Sequence, residues 1–210
     1  MNDIDKLIDK LTHDLKPVKP MANPAQRAFA WILTGMISIF VVGAIVKYRM
    51  DLAEKVQEPM FIGELMGIFL LAVSAAYASA WLSLPDGGCK TKTIYVPYAI
   101  ILIAFALLLG DIYEHGYKLK KFELHHCIID ATLIGLIPLG LMIWMTKQGA
   151  PTQPILAAVT NIVATGSIGY IGLRLTCGSD EVGHVCTYHV IPFVFAGLVI
   201  GLLARRLYRW

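Results

Sequence analysis

The chain has 210 residues, of which 57% are hydrophobic and only 16% are charged, and its formal net charge is +3. The apolar residues form long blocks instead of the short periodic runs of a soluble core, which argues against a soluble globular domain. The small positive excess lies in the segments between these blocks and does not indicate a nucleic-acid-binding surface.

Residues 1–20 come before the first apolar block, and their start lacks the features of a secretory signal. Apolar residues recur at helical spacing at Ile4, Leu7, Ile8, Leu11 and Leu15, which predicts a short amphipathic helix ending before the prolines at 17 and 20. Four Asp, including Asp14, offset four Lys in this segment, whereas a helix drawn to a membrane surface normally has a basic polar face. The segment is therefore predicted to bind a protein partner in a groove, and resting at the membrane interface is the alternative.

The remainder of the chain contains enough apolar sequence for six membrane crossings, since a helix of about 20 residues spans the bilayer core. The predicted spans cover residues 28–47, 60–82, 93–113, 127–146, 153–174 and 187–207. Their connections are too short for another domain. We therefore predict an all-α protein, a polytopic bundle of six transmembrane helices over residues 28–207, with a short cytoplasmic amphipathic helix before it.

Basic residues set the predicted orientation, because loops rich in Lys and Arg stay in the cytoplasm. With the N-terminus inside, eleven Lys and Arg lie on the inner side and seven on the outer side. Both termini are therefore predicted to be cytoplasmic.

Small residues recur within the spans at intervals that allow close helix packing. They are Gly63, Gly67, Gly166, Gly169, Gly172, Gly197 and Gly201. Packing within one chain is the first interpretation, and contact between copies in a homo-oligomer is the second. The acidic residues Glu64 and Asp130 lie one turn inside their spans and are expected at the outer interface, in a structural role.

Cysteine and histidine side chains gather on the predicted outer side, in or beside two connections. They are His115, His125, His126 and Cys127 near the third connection, and Cys177, His184, Cys186 and His189 near the fifth. Thiolates and imidazoles are preferred ligands of zinc and copper, and thiols in an oxidising compartment also form disulfides. A disulfide among Cys127, Cys177 and Cys186, a transition-metal ion held by the cluster, and incidental residues all remain open. No cofactor other than this metal is predicted, and no catalytic constellation is visible, so the chain is predicted not to be an enzyme.

The segment from Trp144 to Pro154, the Leu-Thr-Cys ending at Cys177 and the basic C-terminal segment 202–210 resemble the NrsF family, as does the start around Asp14. These are bacterial inner-membrane proteins named as negative regulators of an extracytoplasmic-function sigma factor. The resemblance implies a six-helix anti-sigma factor whose cytoplasmic N-terminus holds the sigma factor away from RNA polymerase. It also implies that Cys127 and Cys177 sense metal or oxidant stress, while Cys186 looks like an addition to the family pattern.

The resulting hypothesis is an anti-sigma factor that binds its partner through the N-terminal helix and releases it on a periplasmic thiol, metal or oxidative signal. A membrane thiol oxidoreductase is one alternative, although the spacing of Cys177 and Cys186 is wider than the usual CxxC pair. A small-molecule or metal transporter is the other, and the absence of mid-span acidic residues and of repeats speaks against it.

Overall fold

The computed structural model describes residues 3–13, 21–85, 87, 92–115 and 126–209, and these residues form helices without a β-strand. The helices are α1 Asp3–His13, α2 Pro24–Val46, α3 Leu52–Lys55, α4 Pro59–Leu82, α5 Val96–His115, α6 His126–Gln148, α7 Pro154–Thr176 and α8 Val182–Leu207. A 3₁₀ turn, Lys92–Tyr95, leads into α5, and α8 includes a π-helical segment, Val185–Val190.

Six of these helices are long and apolar enough to cross a membrane, namely α2, α4, α6, α7, α8 and the segment Lys92–Gly110. The predicted number and order of the apolar helices are therefore confirmed. Their ends differ by a few residues. The first begins at Pro24, because the Asn23 side chain accepts a hydrogen bond from the Ala25 amide and proline is favourable in a first helical turn. The last begins at Val182 instead of residue 187.

Helix α7 is the centre of the bundle, and it packs against α2, α4, α6 and α8. Its glycines make this possible: a Cβ atom on Gly169 would lie 2.3 Å from the Phe193 ring, and one on Gly172 would lie 2.6 Å from Ile134 Cδ1. The packing prediction is confirmed here. At Gly63 and Gly67 an added Cβ would meet no described atom within 4 Å, so the described residues show no close helix packing at these two positions.

The two ends of the bundle differ in chemistry. The end where α6 begins and α7 ends holds Cys127 and Cys177 and is called the cysteine end. Near the opposite end, the fully buried Asn161 side chain donates to Tyr208 Oη at 2.7 Å and to Thr146 Oγ1 at 3.0 Å, and it accepts from Ser79 Oγ at 2.5 Å. One amide thereby joins α7 to α4, α6 and the residue after α8, and it satisfies polar groups that would be costly to bury unpaired.

Candidate metal and thiol centre

Four buried side chains at the cysteine end come together from three separate segments. Cys127 is the second residue of α6, Cys177 directly follows α7, and His184 and His189 lie in the first turns of α8. Their potential ligand atoms all lie within 4.8 Å of one another. The chain therefore encloses two thiols and two imidazoles in one group, which we call the Cys/His cluster.

The π-helical segment Val185–Val190 explains how His184 and His189 share one face. In a regular α-helix, residues five apart point about 140° away from each other. The hydrogen bonds of a π-helix instead join residues five apart, which brings such residues closer to one face of the helix. The two imidazole centroids are 5.4 Å apart as a result. Such segments are often found at functional sites, and here the segment turns both rings toward the cysteines.

The spacing of the ligand atoms suits a tetrahedral metal ion. The Sγ atoms of Cys127 and Cys177 are 3.5 Å apart, and His184 Nε2 lies 3.6 Å from the first and 3.4 Å from the second. With zinc bond lengths of about 2.3 Å to sulfur and about 2.0 Å to nitrogen, a tetrahedral site separates its ligand atoms by about 3.3–3.8 Å. The three separations among Cys127, Cys177 and His184 fall within this range, whereas the most distant of the four ligand atoms are up to 4.8 Å apart.

His189 is the residue whose surroundings point most directly to a ligand. Its side chain is fully buried, and neither Nδ1 nor Nε2 has a hydrogen-bond partner of good geometry among the described residues, although the ring lies near enough to the Cys177 thiol to help lower the pKa of that thiol. Buried polar atoms are almost always satisfied, so two unsatisfied nitrogens on one ring need an explanation. A metal ion in the cluster would bind one of these two nitrogens.

The pKa of Cys177 lies well below that of an ordinary thiol, chiefly because the Cys127 thiol donates a hydrogen bond to it. A lowered thiol pKa favours the thiolate, which is the form that binds metals and attacks oxidants. The sulfurs would have to approach by about 1.5 Å to reach the length of a disulfide bond. The geometry therefore suits a metal ion held by Cys127, Cys177 and His184, with His189 as a fourth ligand after a small movement, and it permits a disulfide after a movement of the two sulfurs.

An ion-pair network fixes the loop that follows Cys177. The Asp180 carboxylate accepts hydrogen bonds from Arg49 at 2.9 and 3.0 Å and from Arg174 at 2.7 Å, and it forms an ion pair with Lys55 Nζ at 3.0 Å. These partners, Arg49 first, hold the pKa of Asp180 below its usual range. Arg174 also donates to Glu64, so the network ties α7 to α4. It holds the loop between α7 and α8 in place only three residues from Cys177.

The structure places the other predicted site residues as follows. His126 is exposed at the first position of α6, and the half-buried Cys186 is not a member of the Cys/His cluster. His125 lies outside the described residues. Glu64 is an ion-pair partner of Arg174 and accepts a hydrogen bond from Tyr170, and Asp130 is buried on α6. The Arg49–Asp180–Arg174 network was not predicted, because a list of charged loop residues does not reveal which loops meet.

Helix α1 has the predicted amphipathic character, and all its described residues are exposed. Ile4, Leu7, Ile8 and Leu11 line one face and are between 53% and 69% exposed. An apolar helix face of this kind, which no described part of the chain covers, is suited to a groove on another protein. Leu15 and Asp14, which were predicted to share this role, lie outside the described residues.

Comparisons with known proteins point to one regulatory family. The NrsF family model, described as negative regulator of sigma F, matches residues 11–210. The chain is also 25% identical to the anti-sigma-F factor NrsF of Caulobacter vibrioides, over 98% of this chain and 99% of that protein. No solved structure matches the chain.

Proposed function

The chain belongs to the NrsF family of negative regulators of sigma F, and from this premise we propose that it is a membrane-bound anti-sigma factor. In this proposal α1 holds an extracytoplasmic-function sigma factor at the bacterial inner membrane. The Cys/His cluster controls its release. The single observation that carries the proposal is the joint presence of an uncovered apolar helix at one end of the chain and a buried Cys/His cluster at the cysteine end of the bundle.

The proposed location rests on the lipid-like surface and on the distribution of basic residues. Leu102, Leu107 and Phe40 are between 68% and 71% exposed on helices long enough to span a bilayer, which water would disfavour but lipid would not. The excess of Lys and Arg on the side of the N-terminus favours cytoplasmic termini. The cysteine end then faces the periplasm, where metal ions and oxidants arrive first.

The apolar face of α1 is the proposed sigma-binding surface. The family model begins at residue 11, so Ile4, Leu7 and Ile8 come before the matched range and their role rests on the helix itself. Three or four apolar side chains at this spacing are typical of helices that bind in the groove of a partner. The balanced charge of its polar face gives little attraction to anionic lipid.

Co-purification from membranes tests the sigma-binding proposal. Replacing Leu7 and Leu11 by Gln should abolish recovery of a sigma factor with the tagged full-length protein and raise sigma-dependent transcription in cells. The matched control, Lys6 and Lys10 replaced by Gln, changes the same number of residues on the polar face of α1 and should retain the partner. Equal recovery of the sigma factor with both variants would contradict the role of the apolar face, and no sigma factor with the wild type would contradict the anti-sigma proposal.

The Cys/His cluster is the proposed sensor, and a divalent ion such as Zn²⁺ suits it electrostatically. Two thiolates and two neutral imidazoles carry two negative charges, so a divalent cation makes the group neutral overall. Neutrality matters here, because all four side chains are buried and an unpaired charge in such a place is costly. Oxidation of Cys127 and Cys177 to a disulfide is the other signal that this geometry supports.

Two substitutions distinguish metal binding from oxidation. Cys177→Ser removes a ligand and a thiol together, so it should abolish both responses, while Cys186→Ser is the matched control outside the cluster and should change neither. His189→Leu removes only a ligand. If His189→Leu weakens the response to Zn²⁺ and leaves the response to the thiol oxidant diamide normal, the metal acts through His189 and oxidation acts independently of it. The loss of neither response with Cys177→Ser would refute the sensor role.

A further inference from the structure

Helix α2 is hydrogen-bonded to main-chain carbonyl groups of α6 at three positions along its length. In the sequence, α2 comes after the N-terminal segment that contains α1. Ser38 Oγ donates to the Ile134 carbonyl at 2.7 Å, and Trp31 Nε1 donates to the Pro138 carbonyl at 2.8 Å. Arg27 donates to the Met145 carbonyl, and it also donates at 2.5 Å to the Oγ atom of Ser83, the residue that follows α4. All three donors are buried. We call these three contacts the α2–α6 ladder.

The proline inside α6 accounts for the contact at Ser38. Pro138 has no amide hydrogen, so it cannot donate to the Ile134 carbonyl four residues before it. A carbonyl freed in this way within a membrane-spanning helix needs another donor, and the Ser38 hydroxyl supplies it from the neighbouring helix. A bond that would lie within α6 has thereby become a bond between α6 and α2.

The same Ile134 also faces the end of α7 that leads to the Cys/His cluster. Its side chain rests on Gly172, where an added Cβ would come within 2.6 Å of Ile134 Cδ1. Ile134 lies seven residues after Cys127, or about 10 Å along α6, and Gly172 lies five residues before Cys177. A change in the separation of the two cysteines would therefore act on the Ile134–Gly172 contact, and the hydrogen bond from Ser38 to the Ile134 carbonyl would carry it to α2.

We propose that the α2–α6 ladder, with Ser38 as its essential contact, transmits the state of the Cys/His cluster to the helix that carries the sigma-binding segment. The inference rests on the proposed function and adds the route by which its two ends communicate. Hydrogen bonds to main-chain carbonyls are directional, so a shift of α6 moves α2 with it, while apolar side chains slide past one another more readily. Arg27 lies one turn inside α2, at the end of this helix that is nearer to α1 along the chain.

The test measures how much sigma factor stays bound to the tagged full-length protein in membranes, before and after the probes Zn²⁺ and diamide. We expect the wild type to lose its partner by about fivefold or more with at least one probe, and Ser38→Ala to show nearly the same retention before and after. Ser38→Thr keeps a hydroxyl and should restore the response. Ser167→Ala is the matched control, since the Ser167 hydroxyl donates to the Val163 carbonyl within α7, and it should respond like the wild type.

A second variant separates communication from stability. In Ser38→Ala combined with Pro138→Ala, the new amide at position 138 can donate to the Ile134 carbonyl, so α6 regains its internal bond without the link to α2. We expect this double variant to bind the sigma factor at rest, to show the wild-type change in maleimide labelling of Cys127 and Cys177 after the probe, and to retain the sigma factor. Release from Ser38→Ala or from the double variant to the wild-type extent would overturn the inference. A wild type that responds to neither probe would refute the proposed sensor, and the ladder with it.

Discussion

Replacing Gly172 by Ala tests the packing that joins α6 to α7 below the Cys/His cluster. The new Cβ would lie 2.6 Å from Ile134 Cδ1, 3.2 Å from its Cγ2 and 3.4 Å from its Cγ1. Ile134 is fully buried and Gly172 is buried, so the Ile134 side chain cannot move into solvent to make room for the new methyl group. Overpacking of this kind costs about 1–3 kcal/mol, while the higher helix propensity of Ala returns up to about 1 kcal/mol.

The substitution Ile134→Val removes the one atom that makes the closest contact. Alone it should cost about 0.5–1.5 kcal/mol, because it leaves a methyl-sized space. Together with Gly172→Ala it should cost less than the sum of the two, since the new methyl group fills the space that the lost Cδ1 leaves. We expect a favourable coupling of about 1 kcal/mol between the two sites, within the range found for residues in contact.

Thermal unfolding of the detergent-solubilised protein measures this coupling, at about 2–4 °C in midpoint temperature per kcal/mol for a chain of this size. Gly140→Ala in α6 is the matched control, because an added Cβ there meets no described atom within 4 Å. It should leave the midpoint unchanged or raise it slightly. Strict additivity of Gly172→Ala and Ile134→Val, or a Gly140→Ala protein as unstable as Gly172→Ala, would show that the Ile134–Gly172 contact does not limit the packing.

Two further predictions concern polar side chains that link the helices. Asp180→Asn should lower the unfolding midpoint at pH 7 by weakening the contacts with Arg49 and Arg174. Because the pKa of Asp180 is lowered on folding, its contribution to stability is complete above the ordinary Asp pKa of about 3.9 and is lost as the pH falls through the lower folded value. The difference in midpoint between Asp180→Asn and the wild type should therefore shrink below about pH 4. A constant difference down to pH 2 would contradict the ion-pair role. Asn161→Leu should destabilise the bundle by about 2 kcal/mol or more, because it leaves several buried polar partners unsatisfied. The control Thr165→Val, one turn away, should be neutral or stabilising, because the Thr165 hydroxyl has no hydrogen-bond partner in the described structure. Similar unfolding midpoints for the two variants would refute this account.

The sequence was sufficient for the number of apolar helices because that property depends on length and composition, which are local. It was also sufficient to place Cys127, Cys177, His184 and His189 on the same side of the spans. It did not show that these four, and not Cys186, form the cluster. The reason is physical: residues five apart point in different directions on an α-helix, and only the π-helical segment Val185–Val190 brings His184 and His189 onto one face.

The contacts between helices were harder to predict than the helices themselves. Asp180 looks like an ordinary loop carboxylate in the sequence, and its three basic partners lie six, 125 and 131 positions away along the chain. Ser38 and Pro138 each have a simple explanation alone, as a small polar residue and a helix-bending residue. Their relation appears only when α2 and α6 are seen side by side, with the hydroxyl of one directed at the carbonyl that the other leaves without a donor.

In the proposed sensing mechanism, the free energy of metal binding is more than sufficient, and the limiting factor is the physical connection between the Cys/His cluster and α1. A change of 5- to 150-fold in affinity for a partner needs only about 1–3 kcal/mol of coupling between the two sites. A zinc ion bound by four protein ligands contributes far more, about 10–16 kcal/mol in small structural sites. A small fraction of that free energy is therefore enough, provided that a stiff element carries it from one end of the bundle to the other. Helix α6 is such an element, since it contains 23 residues and measures about 34 Å, with Cys127 in its first turn and Met145 in its last. The three contacts of the α2–α6 ladder then decide whether a displacement of α6 reaches the helix that carries α1.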